Sequence, residues 1–142
     1  MQSKVLFICT GNYYRSRFAE IYFNHLAEQQ SLAWRAISRG FMPYHLRHIS
    51  IHTENRLVEL GISFDQNRIP QLLELEDLEN AHQIIALKET EHRPMMKNDF
   101  PAWENRVEYW HIHDLDVAEP PETLRALEEG IKRLIASLID QM

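Results

Sequence analysis

The stretch Val5-Leu6-Phe7-Ile8-Cys9-Thr10-Gly11-Asn12-Tyr13-Tyr14-Arg15-Ser16 decides how this chain folds. Four apolar, β-favouring residues in a row suit a strand buried on both faces, the kind found in parallel sheets. Gly11 and Asn12 punctuate a loop. From Ser16 onward, Phe18, Ala19, Ile21, Tyr22 and Leu26 recur with the spacing of an amphipathic helix. A thiol therefore stands at the end of a strand, and an arginine six residues later stands at the start of a helix. A loop wrapped from Cys9 to Arg15 turns backbone N–H groups toward one point, where the helix N-terminus adds partial positive charge. That point suits a phosphate dianion. Arg15 brings a forked guanidinium that bonds two phosphoryl oxygens at once, and the same cation and dipole favour the thiolate of Cys9. Ser16 is suited to donate a hydrogen bond to that sulfur, while Gly11 and Asn12 suit left-handed backbone. An isolated cysteine at a strand end is most often inert core. Gly-Asn, Arg and Ser at these spacings favour the anion site.

Outward from this stretch, strand and helix alternate. Trp34-Arg35-Ala36-Ile37 reads as a second strand stopped by Ser38 and Gly40, and Ile49, Leu57 and Leu60 mark a helix capped by Gly61. Gln83 to Leu87 reads as a third strand, Val107 to Trp110 as a fourth, and Pro121 to Ile139 as a last helix with Leu124, Leu127, Ile131, Leu134, Ile135 and Leu138 inward. This order predicts one α/β domain over residues 1–142, a parallel sheet between two helical layers joined by right-handed crossovers. Ligands in such sheets bind beyond the carboxyl ends of the strands, where Cys9, Ser38 and the residues after Trp110 converge.

Composition sets outer bounds. At 142 residues and 16.9 kDa with 44% hydrophobic residues, the chain is long enough for one core without staples. Its single cysteine excludes an intramolecular disulfide framework and zinc sites built on several thiolates, and it points to a reducing, cytoplasmic setting. A net charge of −6 argues against nucleic acid and anionic membrane as partners, and no apolar run is long enough for a signal segment or a membrane span. The charge is uneven, however. Residues 1–48 hold six Lys or Arg against two Glu, or +4, and the remainder holds nine against nineteen, or −10. The basic portion is the one that carries the loop.

On these residues the chain resembles the low-molecular-weight protein tyrosine phosphatases, whose signature is a cysteine, five residues, an arginine and a serine or threonine near the N-terminus. Lys4 to Glu20 looks like that family's opening strand, phosphate loop and first helix. Ala36-Ile37-Ser38 resembles its second strand ending in a loop-supporting serine, and Gly61-Ile62 with Arg68 its middle segment. The resemblance implies a four-stranded parallel sheet flanked by helices and phosphomonoester hydrolysis through a phosphocysteine, with no metal or cofactor. Cys9, Arg15 and an aspartate would be catalytic, with Thr10, Gly11, Asn12, Tyr13, Tyr14 and Ser16 forming the phosphate loop and Ser38 supporting it. Phosphotyrosine in proteins or a small aryl phosphate would be the substrate, and inorganic phosphate, sulfate or vanadate would occupy the same site.

The family's acid lies after the fourth strand and is followed by proline. Asp114 matches by position but lacks the proline, so Asp116 is its rival. Tyr14 stands where many relatives carry a second cysteine, and this absence also argues against a disulfide-relay arsenate reductase. Arg17 replaces a usual proline and reads either as positive charge at the mouth or as a solvated helix residue. With Leu115, Asp116 and Val117 in place of ring-covering aromatics, Tyr13, Phe41 and Tyr44 are the candidates for a ring wall. His45, His48 and His52 share a helical face, and His111 and His113 share one face of an extended segment beside Asp114. A metal site there is the weaker reading. The rival functional reading is a phosphate- or phosphoprotein-binding regulatory module with little or no turnover.

Overall fold

The computed structural model describes residues 2–44 and 49–141. Four strands, β1 (Ser3–Cys9), β2 (Trp34–Gly40), β3 (Gln83–Ala86) and β4 (Glu108–Tyr109), form one sheet in the order β2-β1-β3-β4, with every pairing parallel. Among the described residues five α-helices accompany them: α1 (Arg15–Gln29), α2 (Ile51–Glu59), α3 (Leu75–Asn80), α4 (Glu89–Asp99) and α5 (Pro120–Asp140). A short 3-10 helix spans Pro101–Arg106. The expected three-layer α/β architecture is the one observed.

The alternation of side chains along β1 assigns the layers. Val5, Phe7 and Cys9 join Phe18, Phe23, Leu127, Ile131 and Ile135 in the core beneath α1 and α5. Leu6 and Ile8 join Leu78, Ile84, Met96 and Val107 in the core beneath α3 and α4. Burying a phenylalanine such as Phe7, Phe18 or Phe23 completely contributes about 2–3 kcal/mol. Cys9 thus faces the α1 side, next to the helix start that Arg15 opens. Its register partner at the end of β2 is Gly40, two residues beyond Ser38.

Sequence periodicity places seven of the nine strands and α-helices among the described residues to within three residues at each end. β2 continues to Gly40, three residues beyond the expected stop, whereas β4 keeps only two ladder residues. Gly61 follows α2 at φ +71°, the left-handed cap its position predicts. Helices α3 and α4 are additions. Only Leu78 of α3, and only His92 and Met96 of α4, are buried. No apolar stripe announces either helix, yet a parallel β3–β4 pair requires a crossover and α4 supplies it.

Candidate active site

The loop between β1 and α1 is held from outside by its own carbonyls. Phe41 N–H donates to the Cys9 carbonyl at 3.2 Å, Met42 N–H to Thr10 at 2.8 Å, Tyr44 N–H to Gly11 at 3.1 Å and Ser50 N–H to Tyr13 at 3.0 Å. Because C=O and the following N–H point opposite ways across a trans peptide, these bonds turn the loop's N–H edge inward. Asn12 makes the bend at φ +49°, and it is fully buried. Gly11 has no positive φ, contrary to expectation. Its missing side chain instead leaves room for the Tyr44 ring, whose nearest carbon would lie 3.0 Å from an added Cβ.

Beneath the loop, the hydrogen bonds have a determined direction. Gln71 N–H donates to Asn12 Oδ1 at 2.8 Å, which fixes the amide so that Nδ2 donates to Ser16 Oγ at 2.9 Å and to Ser38 Oγ at 3.0 Å. Ser38 then donates to Glu20 at 2.7 Å, and Arg68 pairs with Glu20 at 3.2 Å. Ser16 Oγ, which accepts from Asn12, lies 2.9 Å from Cys9 Sγ and is placed to donate to a thiolate there. Ser38 therefore touches the loop through Asn12.

Cys9, Gly11, Tyr13, Tyr14, Arg15, Tyr44, Ser50, Asp114 and Leu115 line a cavity of about 70 Å³ at this point. Larger grooves of about 500 Å³ lie between β4 and α5 and beside α1, but no thiol opens into them. Arg15 is 2% exposed. Its Nη1 donates to the Ile112 carbonyl at 3.0 Å, and its Nη2 reaches Glu91 Oε2 at 2.7 Å and Asp114 Oδ2 at 3.3 Å. Burial works against its charge, but Cys9, Glu91 and Asp114 outweigh burial and hold the guanidinium protonated more firmly than usual. Asp114 is half-buried at the cavity wall, and the N–H groups of Val117 and Ala118 close a turn on its carbonyl. Asp116 is exposed and does not line the cavity.

Two expected placements are corrected. Phe41 is no ring wall: it is buried in the α4-side core and stacks on His92 at 5.7 Å, because it follows the last residue of β2 on that face. Arg17 is neither at the mouth nor solvated. It is 1% exposed, donates from Nη1 to the Arg68 carbonyl at 3.0 Å, and leaves Nε without a partner. Burial, then the nearby Arg68 charge, push its pKa down to about 10. Tyr13 and Tyr44 do flank the cavity, with ring centroids 5.1 Å apart. His45 and His48 lie outside the described residues, and among the described residues no group of three or more His, Cys, Asp or Glu gathers as a metal site.

Glu91 and His92 are the site residues that sequence reasoning misses. Glu91 accepts from Thr10 Oγ1 in a short hydrogen bond as well as from Arg15, and His92 Nε2 lies 3.0 Å from it. Burial alone would raise the Glu91 carboxyl, but bonds from His92, Arg15 and Thr10 hold it well below the ordinary carboxylate range. Burial first of all pushes the His92 imidazole below its usual value.

A thiol, a buried guanidinium and inward-turned amides at the carboxyl end of a parallel sheet define a cysteine-based anion site in an α/β protein. The chain matches the family of low molecular weight phosphotyrosine protein phosphatases over residues 4–142, and it belongs to that family. A protein-arginine-phosphatase of Bacillus subtilis (strain 168) is 27% identical over 94% of this chain and 95% of its own length. In the solved structure of a low molecular weight protein tyrosine phosphatase from T. tengcongensis, the same fold matches with a TM-score of 0.83 at 24% identity, covering 96% of this chain and 99% of that one. An arginine phosphatase from Geobacillus stearothermophilus matches with a TM-score of 0.80 at 22% identity, covering 98% and 94%.

Proposed function

We propose that this protein hydrolyses aryl phosphates, protein phosphotyrosine first among them, through a phosphocysteine intermediate. The observation that carries this reading is the meeting of Cys9 and Arg15 in one cavity that Asp114 also lines, with Ser16 hydrogen-bonded to the sulfur from behind it. In the first step Cys9 Sγ forms a bond to phosphorus as the P–O bond to the aryl group breaks, and Asp114 gives its proton to the departing oxygen. Arg15 and the loop amides hold the charge that spreads over the phosphoryl oxygens. In the second step Asp114 takes a proton from water, the water oxygen bonds phosphorus, and the S–P bond breaks to return the thiolate. Ser16 stabilises the sulfur as it leaves. Inorganic phosphate, sulfate or vanadate would occupy the same loop, and no metal or cofactor takes part.

The test is p-nitrophenyl phosphate hydrolysis by the wild type and by Cys9→Ser, Asp114→Asn and Asp116→Asn. Cys9→Ser abolishes turnover and Asp114→Asn lowers it about 10²–10⁴-fold. Turnover surviving Cys9→Ser refutes the thiol mechanism, and a fall confined to Asp116→Asn moves the acid. A wild type that binds phosphate without turnover fits the regulatory-module reading instead.

A second substrate reading, protein phosphoarginine, has its own support in the curated relative's stated activity. The wall carboxylate Asp114 already engages one guanidinium, and no aromatic follows it to cover a phenyl ring. Comparing kcat/KM for phosphotyrosyl and phosphoarginyl peptides decides between the two. We place the protein in the cytoplasm, on the strength of one thiol with no disulfide partner in the chain. Among the described residues, no helix is long and apolar enough to cross a membrane.

A further inference from the structure

The two ends of the anion loop are tied to a single atom outside it. Glu91 Oε2, in the first turn of α4, accepts from Thr10, the residue after the thiol, and from Arg15, the residue that closes the loop. Its neighbour His92 completes the arrangement and determines its state. The imidazole is fully buried, and Nδ1 accepts the Lys88 N–H at 3.0 Å, so the ring hydrogen resides on Nε2. From there it serves Glu91 Oε2 at 3.0 Å and Thr10 Oγ1 at 3.2 Å. Phe41 stacks on the ring, and the Glu89 N–H donates to the Trp110 carbonyl at 2.9 Å, anchoring the start of α4 to the end of β4. Glu91 is thus a carboxylate on a rigid mount.

The two carboxylates on Arg15 are not equivalent. Asp114 lies at 3.3 Å with its side chain 37% exposed and lines the cavity. Glu91 lies at 2.7 Å, is 24% exposed, and is not part of the cavity wall. An entering phosphoryl group would compete with Asp114 for Nη2. Glu91 bonds the same nitrogen from outside the cavity wall. We propose that Glu91, seated by His92, is a positioning residue that holds the Arg15 guanidinium and Thr10 in register for phosphoryl transfer. The assignment rests on the phosphatase reading, but the anchoring it describes is measurable without turnover.

Because Glu91 acts through Arg15, its loss falls on kcat more than on KM. Removing one positioned transition-state donor costs about 10²–10³-fold, and loosening one rather than deleting it should cost roughly 10–100-fold. The experiment compares the wild type with Glu91→Gln, Glu91→Ala, Glu91→Asp and His92→Gln. It measures kcat and KM for p-nitrophenyl phosphate, the inhibition constant of vanadate, the thermal midpoint, and the rates at which iodoacetate and iodoacetamide alkylate Cys9. The anionic reagent reports the guanidinium's placement beside the sulfur and the neutral reagent corrects for access, so this ratio needs no catalysis.

The expected result is a kcat about 10–100-fold lower in Glu91→Gln and Glu91→Ala with KM within about threefold, partial recovery in Glu91→Asp, and a reduced iodoacetate preference in both impaired variants. His92→Gln should fall between Glu91→Asp and Glu91→Gln. A lower thermal midpoint with unchanged kcat, unchanged alkylation preference and wild-type vanadate affinity overturns the proposal, since that is a structural role alone. Tighter vanadate binding in Glu91→Gln also overturns it, because Glu91 would then be a competitor for Arg15. If the wild type shows no turnover, the phosphatase reading fails separately and the alkylation ratio still decides whether Glu91 places Arg15.

Discussion

Replacing Gly40 by alanine tests whether the anion loop depends on the end of the neighbouring strand. Gly40 ends β2 opposite Cys9, and a Cβ there would lie 2.7 Å from the Thr10 carbonyl oxygen, 2.9 Å from Asn12 N and 3.0 Å from Asn12 Cβ. Ordinary contact begins at 3.4 Å, so the closest of these approaches is short by about 0.7 Å. Two of the three obstacles are loop backbone, and the third is the Cβ of the buried asparagine that orients Ser16 and Ser38. None is the free end of a flexible side chain. Overpacking of this kind costs about 1–3 kcal/mol, and a misplacement near 1 Å costs on the order of 100-fold in rate, so a shift of this size should lower kcat/KM roughly 10–100-fold. The assay is a urea titration of Gly40→Ala beside steady-state hydrolysis of p-nitrophenyl phosphate, with phosphate inhibition as a measure of the N–H edge. Wild-type stability together with wild-type kcat/KM and phosphate affinity would show that the loop does not rest on β2, and the reasoning would be refuted.

Three further outcomes are expected. Ser16→Ala removes the donor to the leaving thiolate and should slow breakdown of the phosphocysteine about 10-fold or more, seen as a larger burst of p-nitrophenolate before a slower steady state. His92, held below its ordinary value by burial, contributes stability that is complete above the unfolded imidazole value of about 6.5 and declines as pH falls below it. Glu91, also held low, adds a further loss once pH drops below about 4.3. Thermal midpoints measured from pH 8 to pH 4 should therefore fall through pH 6 in the wild type and fall less steeply there in His92→Gln. Arg17→Met deletes a buried guanidinium with an unpartnered Nε and should leave stability unchanged or raise it by about 1 kcal/mol. A loss above about 2 kcal/mol in a urea titration would show that the Arg68 carbonyl depends on it.

The segment from Val5 to Ser16 was sufficient by itself to bring a thiol, an arginine and a serine into one strand–loop–helix unit. Their spacing along a strand–loop–helix unit is local, and local geometry depends on few other residues. The same holds for α1, α2 and α5, whose apolar spacing declares one buried face, and for β1, whose unbroken apolar run declares two. Ser38 and the residues after Trp110 were legible as a group because a parallel sheet brings the carboxyl ends of its strands together, and Asp114 was singled out there by resemblance to the family's acid. What stayed hidden lies where burial is carried by polar or isolated residues. α4 buries only His92 and Met96, so no stripe marks it, and its polar sequence gives no sign that Glu91 meets Arg15 across 76 positions. Phe41 read as a ring wall, and Arg17 as either a mouth charge or a solvated helix residue, because a sequence does not say which face a residue takes once its strand or helix is packed.

Tertiary structure alone decided those faces and the carboxylate behind Arg15, since both depend on contacts between elements far apart in the chain. It also changed the reason for two glycines. Gly11 makes room for Tyr44 and Gly40 for the loop backbone, through close approaches that exist only once β1, β2 and the loop are assembled.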